Sequence, residues 1–275
     1  MSPSTATTGA EGGVDGPVRR MAPEDLGIVR RFEAAGFRAW PATSIQYDGT
    51  WAIRLTASHP AKRLNSINPL DPADVRDITG RIARAAPRFE AYGRDLVLRL
   101  SPLAGEELTQ WCNEQGWERF GESIVMIADI AAIAFDQTLD QLPVRDVARF
   151  SAAHLAVRGL GTSMRAGISE VVNAIEPETG LFLAEKDGKP VTTAICVHDG
   201  DLAGLFEVAT AAAFRGQGHA RNTVLSALKW ARLRGARTAW LQVETGNYPA
   251  VALYSNLGFR TLYFYHYRKP AGGQQ

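Results

Sequence analysis

Apolar residues come along this chain in short runs separated by glycine, proline and polar punctuation, and the period within each run predicts its element. The opening stretch, MSPSTATTGAEGGVDG, has no periodic apolar positions, so residues 1–17 read as a disordered tail. Pro23-Glu24-Asp25-Leu26 then opens a helix through Ala35, with Gly36 placed as its stop. TWAIRLTAS predicts a strand, KRLNSINPLDP a loop, and Asp74 to Ala86 a helix ended by Pro87. LVLRL is a further strand, Glu106 to Gln115 a helix stopped by Gly116, and Glu122 to Ile127 a returning strand.

Between Ala128 and Pro143 the punctuation fades and the register changes, as expected of a connection between two domains, 18–135 and 136–275. Two helices follow, Val144 to Val157 and Ile168 to Ile175. Leu181 to Glu185, Val191 to Val197 and Leu202 to Thr210 are then separated by the turns KDGKP and HDGD, which predicts three antiparallel strands. A long amphipathic helix ends at Gly235, TAWLQVE predicts a strand over 238–244, and Asn247 caps a helix that Gly258 ends before an aromatic strand.

Composition narrows the class of protein. A chain of 275 residues that is 45% hydrophobic and 21% charged has the make-up of a globular protein with a sizeable core. Thirty basic residues against twenty-nine acidic ones give a net charge of +1, without the excess needed to neutralise many phosphates, so nucleic acid is not an expected partner. Cys112 and Cys196 lie far apart, with no histidine cluster at ligand spacing, so no metal is expected and a reducing cytoplasm fits. The longest greasy run, IVMIADIAAIAF, is too short to span a bilayer and contains Asp129, so no membrane partner is expected either.

The richest chemistry lies in LFEVATAAAFRGQGHARNTVLSALKWARLRG, a strand, a short loop with two glycines and a long helix. First-turn amides of a helix lack internal partners and carry the positive end of its dipole, so such a loop cradles an anion such as a pyrophosphate. Gly216 and Gly218 remove side chains that would keep phosphate oxygens from the backbone, and Arg215 and Arg221 add positive charge. A Walker A loop would need Lys and Ser or Thr after Gly218, where His219 and Ala220 stand. A dinucleotide fingerprint would need a third glycine at Arg221 and a preceding βαβ unit. The remaining alternative to a cradle is a tight strand-to-helix turn with no ligand.

Arg215-x-x-Gly218-x-Ala220, followed by Asn247-x-x-Ala250-x-x-Leu253-Tyr254-x-x-x-Gly258-Phe259, resembles the GNAT family of acyl-CoA N-acyltransferases over Leu181 to Tyr267. The resemblance implies an α/β (α+β) fold: a mixed, mostly antiparallel sheet flanked by helices, in two tandem GNAT-like domains of which the first is degenerate. It implies acetyl-CoA, or another acyl-CoA, as co-substrate and an amine acceptor as partner. The pantetheine arm would bond Val208, Ala209 and Thr210, and the pyrophosphate would sit on Arg215, Gly216, Gln217, Gly218, His219 and Ala220. Asn247 would bond the cofactor near its thioester.

Acyl transfer to an amine also needs a proton for the departing thiolate and an acceptor for the amine's proton. The family usually has an acid at the position of Tyr254, whose phenol keeps its proton at neutral pH; the alternative is a half-buried packing tyrosine. Family members often use a glutamate on the strand of Glu207 as base. By strand alternation Glu207 shares the face of Leu205, and it is either that base or a solvated or paired surface carboxylate. Glu244 is the second candidate.

The first half has no glycine cradle, yet EQGWERFGESIVM repeats the helix, glycine, aromatic and strand order of SNLGFRTLYFYHY. Lys62, Arg63, Asn65, Ser66 and Asn68 form a polar loop that either binds an anionic acceptor or cofactor end or is simply solvated. Two functions remain open, an N-acyltransferase and a non-catalytic acyl-CoA sensor on the same fold; retention of Tyr254 favours the enzyme. The aromatic final strand either pairs with a second subunit, making a homodimer, or lies within its own sheet.

Overall fold

The computed structural model describes residues 25–136, 138 and 140–272, so the predicted tail and the Pro23-Glu24 opening lie outside the described residues. The first half runs α1 (Leu26–Ala39), β1 (Ser44–Asp48), β2 (Trp51–Leu55), β3 (Ser66–Pro69), α2 (Ile78–Ala91), β4 (Leu98–Leu100), α3 (Gly105–Glu114) and β5 (Glu118–Asp129). The second runs α4 (Val147–Arg158), α5 (Arg165–Asn173), β6 (Glu178–Lys186), β7 (Lys189–Asp199), β8 (Leu202–Thr210), α6 (His219–Arg232), β9 (Thr238–Glu244), α7 (Tyr248–Asn256) and β10 (Arg260–Lys269).

Among the described residues ten strands form one sheet in the order β1-β2-β3-β4-β10-β5-β9-β8-β7-β6. Pairing is antiparallel except between β3 and β4 and between β8 and β9, as expected of the mixed, mostly antiparallel sheet. The two halves exchange strands at the centre: β5 lies between β9 and β10, and β10 lies between β4 and β5. The two segments whose sequences repeat one another are therefore direct neighbours, paired from Arg260↔Ile127 to Lys269↔Glu118 with register shifts between Thr261 and Tyr263 and between Tyr265 and Tyr267. The aromatic final strand lies within its own sheet.

Helices cover both faces. Phe32 of α1, Phe150 of α4 and Val171 of α5 pack with Trp240 and Phe206 into one core. Val224 and Leu228 of α6 and Tyr254 of α7 pack with Leu205 and Leu241 into another. A third core holds α2 and α3 on β2 and β4.

Several predicted boundaries are corrected. α1 passes through Gly36 to Ala39. A Cβ at Gly36 would make only ordinary contacts, 3.5 Å from the Gln242 side chain and 3.6 Å from Trp240, and the helix runs past this glycine without terminating. α2 starts at Ile78, capped by Asp77, and continues through Pro87, which sits on its exposed side. The stretch read as a loop contains β3, because Asn68 Nδ2 satisfies itself on Ser66 O and Ala52 O and so lets polar residues enter a buried strand. β1, an edge strand with mostly exposed positions, was not anticipated from the pattern.

Candidate active site

The parallel pair β8 and β9 is bonded over four positions, Leu202–Leu205 against Thr238–Leu241. Both strands continue, to Thr210 and Glu244, without pairing to each other, which leaves one edge of β8 open from Phe206 onward. On the other edge Thr193 faces Ala209 while Ile195 faces Phe206, so β8 holds one residue more than β7 over this step. The bulge falls on Glu207, whose φ of +47° lies in the left-handed region. It also reverses the alternation: Leu205 is in the α6–α7 core, whereas the Glu207 carboxylate points to the opposite face and meets α4. The expectation that the two share a face is therefore corrected, because a bulge adds a residue to the period of two.

Glu207 is largely buried and paired. His154 Nε2 lies 3.2 Å and Arg158 Nη1 3.1 Å from Oε2, and Arg63 Nη2 lies 3.4 Å from Oε1. Burial by itself would raise this carboxyl's pKa, but the hydrogen bond from His154 and the charges of Arg63, His154 and Arg158 outweigh it and hold the group at about 2. His154 is in turn fixed through Nδ1, 2.9 Å from Thr193 Oγ1. Neither His154 nor Arg158 was picked out from the sequence; the available signal was a histidine on the inner face of a helix, which more often marks core packing.

The basic loop divides by role. Asn65, Ser66 and Asn68 are buried, and Asn65 ties the loop by accepting from Thr56 N and donating to His59 O, 2.8 Å each. Lys62 and Arg63 instead reach across to the second half, Lys62 Nζ standing 3.2 Å from Glu244 Oε1. Between them lies a cavity of about 380 Å³ lined by His59, Arg63, Arg158, Glu207, Glu244 and Tyr265, among others. Its apolar wall is Leu160, Met164 and Ile168.

On the opposite face, α7 begins at its predicted cap: Asn247 Oδ1 accepts from Ala250 N at 3.3 Å. Tyr254 is buried in the α6–α7 core, its ring against Phe259, beside Val208 and Leu241, and burial raises its pKa above the ordinary phenol value. Val208, Ala209 and Thr210 form the open end of β8; Thr192 Oγ1 donates to Ala209 O and lies 2.8 Å from Thr210 Oγ1, which secures this segment to β7.

Beyond Thr210 comes the glycine turn. Gly216 and Gly218 have φ of +73° and +81°, and a Cβ at either would meet nothing within 4 Å. Gly218 caps α6 without a side-chain bond, and no acidic residue stands in the first turn. Gln217 Nε2 closes the turn on Ala213 O, 3.2 Å, and the His219 ring packs edge-on against Phe214. Arg215 reaches back to Thr210 O. Among the described residues no helix is long and apolar enough to cross a membrane, and no group of His, Cys, Asp and Glu is placed to hold a metal.

A parallel strand pair that opens at a bulge, followed by a glycine turn into a helix and a tyrosine on the next helix, defines an acyl-CoA-dependent N-acyltransferase of the GNAT fold. The chain belongs to the family described as "Probable histone acetyltransferase Rv0428c C-terminal", which it matches over residues 27–268. It is 23% identical over 249 residues to an uncharacterized N-acetyltransferase, YobR, of Bacillus subtilis, covering 87% of this chain and 98% of that protein. Against the ribosomal protein bS18-alanine N-acetyltransferase of Haemophilus ducreyi it is 31% identical over 126 residues, 45% of this chain and 81% of that one. The fold is also that of a GCN5-related N-acetyltransferase from Kribbella flavida, with a TM-score of 0.66 at 20% identity, covering 90% of this chain and 96% of that one. A tandem GNAT protein from the clavulanic acid biosynthesis pathway aligns with a TM-score of 0.55 at 11% identity, over 91% and 96% of the two chains.

Proposed function

We propose that this protein transfers an acetyl group from acetyl-CoA to a primary amine by direct attack, with Tyr254 as the general acid. One observation supports the reading: β8 and β9 stop pairing after Leu205 and Leu241, and beyond that point Tyr254 packs on one face of the sheet while the Glu207 cavity lies on the other. A thioester held where the strands part would have a proton donor on one side and room for an amine on the other.

The residues present fit the co-substrate. The open edge of β8 at Val208 to Thr210 offers backbone donors and acceptors to the amides of an extended arm. The turn from Arg215 to Ala220 continues from it, and the space where Gly216 and Gly218 lack side chains, next to uncapped helix amides, suits a pyrophosphate. Asn247, at the start of α7, would orient the arm near its sulfur end. When bound, acetyl-CoA supplies an activated acyl group and a thiolate as leaving group.

Tyr254 keeps its proton on Oη throughout the working pH range, because burial disfavours the phenolate, and passes it to the departing sulfur. Glu207 faces the incoming amine. A carboxylate held at about 2 and already shared among Arg63, His154 and Arg158 is a weak proton acceptor, so the amine's proton would leave through water in the cavity or through the exposed Glu244. Burial pushes the thiols of Cys112 and Cys196 to about 11 and about 12, so neither offers a thiolate for an acyl-enzyme, which favours direct attack. Thiol release from acetyl-CoA over a panel of amines tests the reading. Tyr254→Phe should lower kcat by about 100-fold while leaving the Kd for acetyl-CoA within threefold, since a positioned acid contributes about that much. An unchanged kcat would remove Tyr254 from the chemistry.

A further inference from the structure

The cavity next to Glu207 carries more positive than negative charge. Lys62, Arg63 and Arg158 face two carboxylates, Glu207 and Glu244. Glu207 is already shared among three donors, with His154 and Arg158 on one oxygen and Arg63 on the other. Its charge is therefore spent on groups that outnumber it.

Arg158 is where the surplus is accessible. Its side chain is 47% exposed and touches Glu207 through Nη1 alone; among the described residues it has no other hydrogen bond or ion pair. Arg158 lines the cavity, and its Nε and Nη2 have no partner among the described residues; together those two groups match the two oxygens of a carboxylate. Arg63, which also holds Glu207 by one long contact, lies over the Trp40 and Phe206 rings at 5.8 and 5.7 Å. Glu244, 63% exposed, supplies an acidic group on the same cavity. At about 380 Å³ the space suits a compact molecule.

We propose that the acceptor is a small amine bearing a free carboxylate a few bonds from its nitrogen, as in an amino acid, and that Arg158, assisted by Arg63, binds that carboxylate. The inference rests on the acyl-transfer reading. A lysine side chain of a protein would bring a positive charge and no carboxylate, leaving the surplus at Arg158 unanswered.

The test compares kcat/KM for thiol release from acetyl-CoA with the common free amino acids, their C-terminal carboxamides, and a lysine peptide blocked at both ends. The full-length chain is assayed as wild type, Arg158→Met and Arg158→Lys, with circular dichroism melts on each. At least one free acid should exceed its own amide by tenfold or more. That ratio should fall to within about threefold in Arg158→Met and be partly kept in Arg158→Lys. Because it compares two substrates on one variant, loss of folding does not imitate the effect. Turnover of amides or of the blocked peptide as fast as any free acid overturns the inference while leaving the acyltransferase intact. Turnover of no amine overturns both, and acetyl-CoA binding measured in the same samples then distinguishes a silent sensor from a protein that does not bind the thioester at all.

Discussion

Glu207 is a non-glycine residue held at a positive φ, a conformation costing about 1 kcal/mol or more, and its side chain shows what offsets that cost. Two guanidinium groups and His154 converge on the carboxylate, and those contacts require the bulge that turns it to this face. The energetic consequence has a definite sign. The folded pKa, about 2, lies below the ordinary 4.5, so the stabilisation is present above pH 5 and is lost as the pH falls from 5 towards 2. A depression of that size corresponds to about 3 kcal/mol. Glu207→Gln should therefore lower stability by about that amount at pH 7 in a denaturant titration, with the gap to wild type closing below pH 5. A gap independent of pH would mean that the charge is not what holds the bulge.

Among the elements, the glycines divide into those that turn the chain and those that let two surfaces meet, and this division decides how much could be read from the sequence. Gly216, Gly218 and Gly258 sit at positive φ at the ends of helices and were legible as turns. Gly167 lies inside a helix, where only the tertiary partner explains it. A Cβ at Gly167 would come within 1.9 Å of Ser58 O, so α5 rests directly on the loop that carries His59 into the cavity. Gly167→Ala should destabilise the protein by about 2 kcal/mol, measured by chemical unfolding, because neither the helix nor the backbone opposite can yield without moving. A neutral substitution would show that this contact is looser than described. The three-strand meander, the long helix after the glycine turn and the capped α7 followed from punctuation and period. The Glu207 cluster did not, because its partners come from α4 and from a loop some 140 residues away in sequence (Arg63 and Glu207 are 144 apart), and the bulge breaks the alternation that sequence reasoning depends on.

At the scale of the whole molecule, the exchange of β5 and β10 ties the two halves together. β9 has its antiparallel neighbour from the first half, and β4 has its neighbour from the second. Arg99 of β4, Glu33 of α1 and Tyr263 of β10 add a buried network across the same junction, Tyr263 Oη donating to Glu33 at 2.7 Å. Neither half closes its sheet alone, so thermal unfolding should be one cooperative transition, with intrinsic tryptophan fluorescence and far-ultraviolet circular dichroism coincident. Two separated transitions would show that the halves are energetically independent. The interlock also explains how Lys62 and Arg63 are carried to the carboxylates of the other half: the cavity beside Glu207 draws its lining from both halves of the sheet. If an acyl-CoA lies along the open edge of β8 with its phosphates on the Arg215 to Ala220 turn, calorimetric titration of acetyl-CoA into the wild type and into Gly218→Asp will separate the two proteins. The wild type should bind saturably at one site, and a carboxylate placed in the glycine turn should weaken that binding at least tenfold; equal binding by both proteins, or none by the wild type, would rule out this placement of the acyl-CoA.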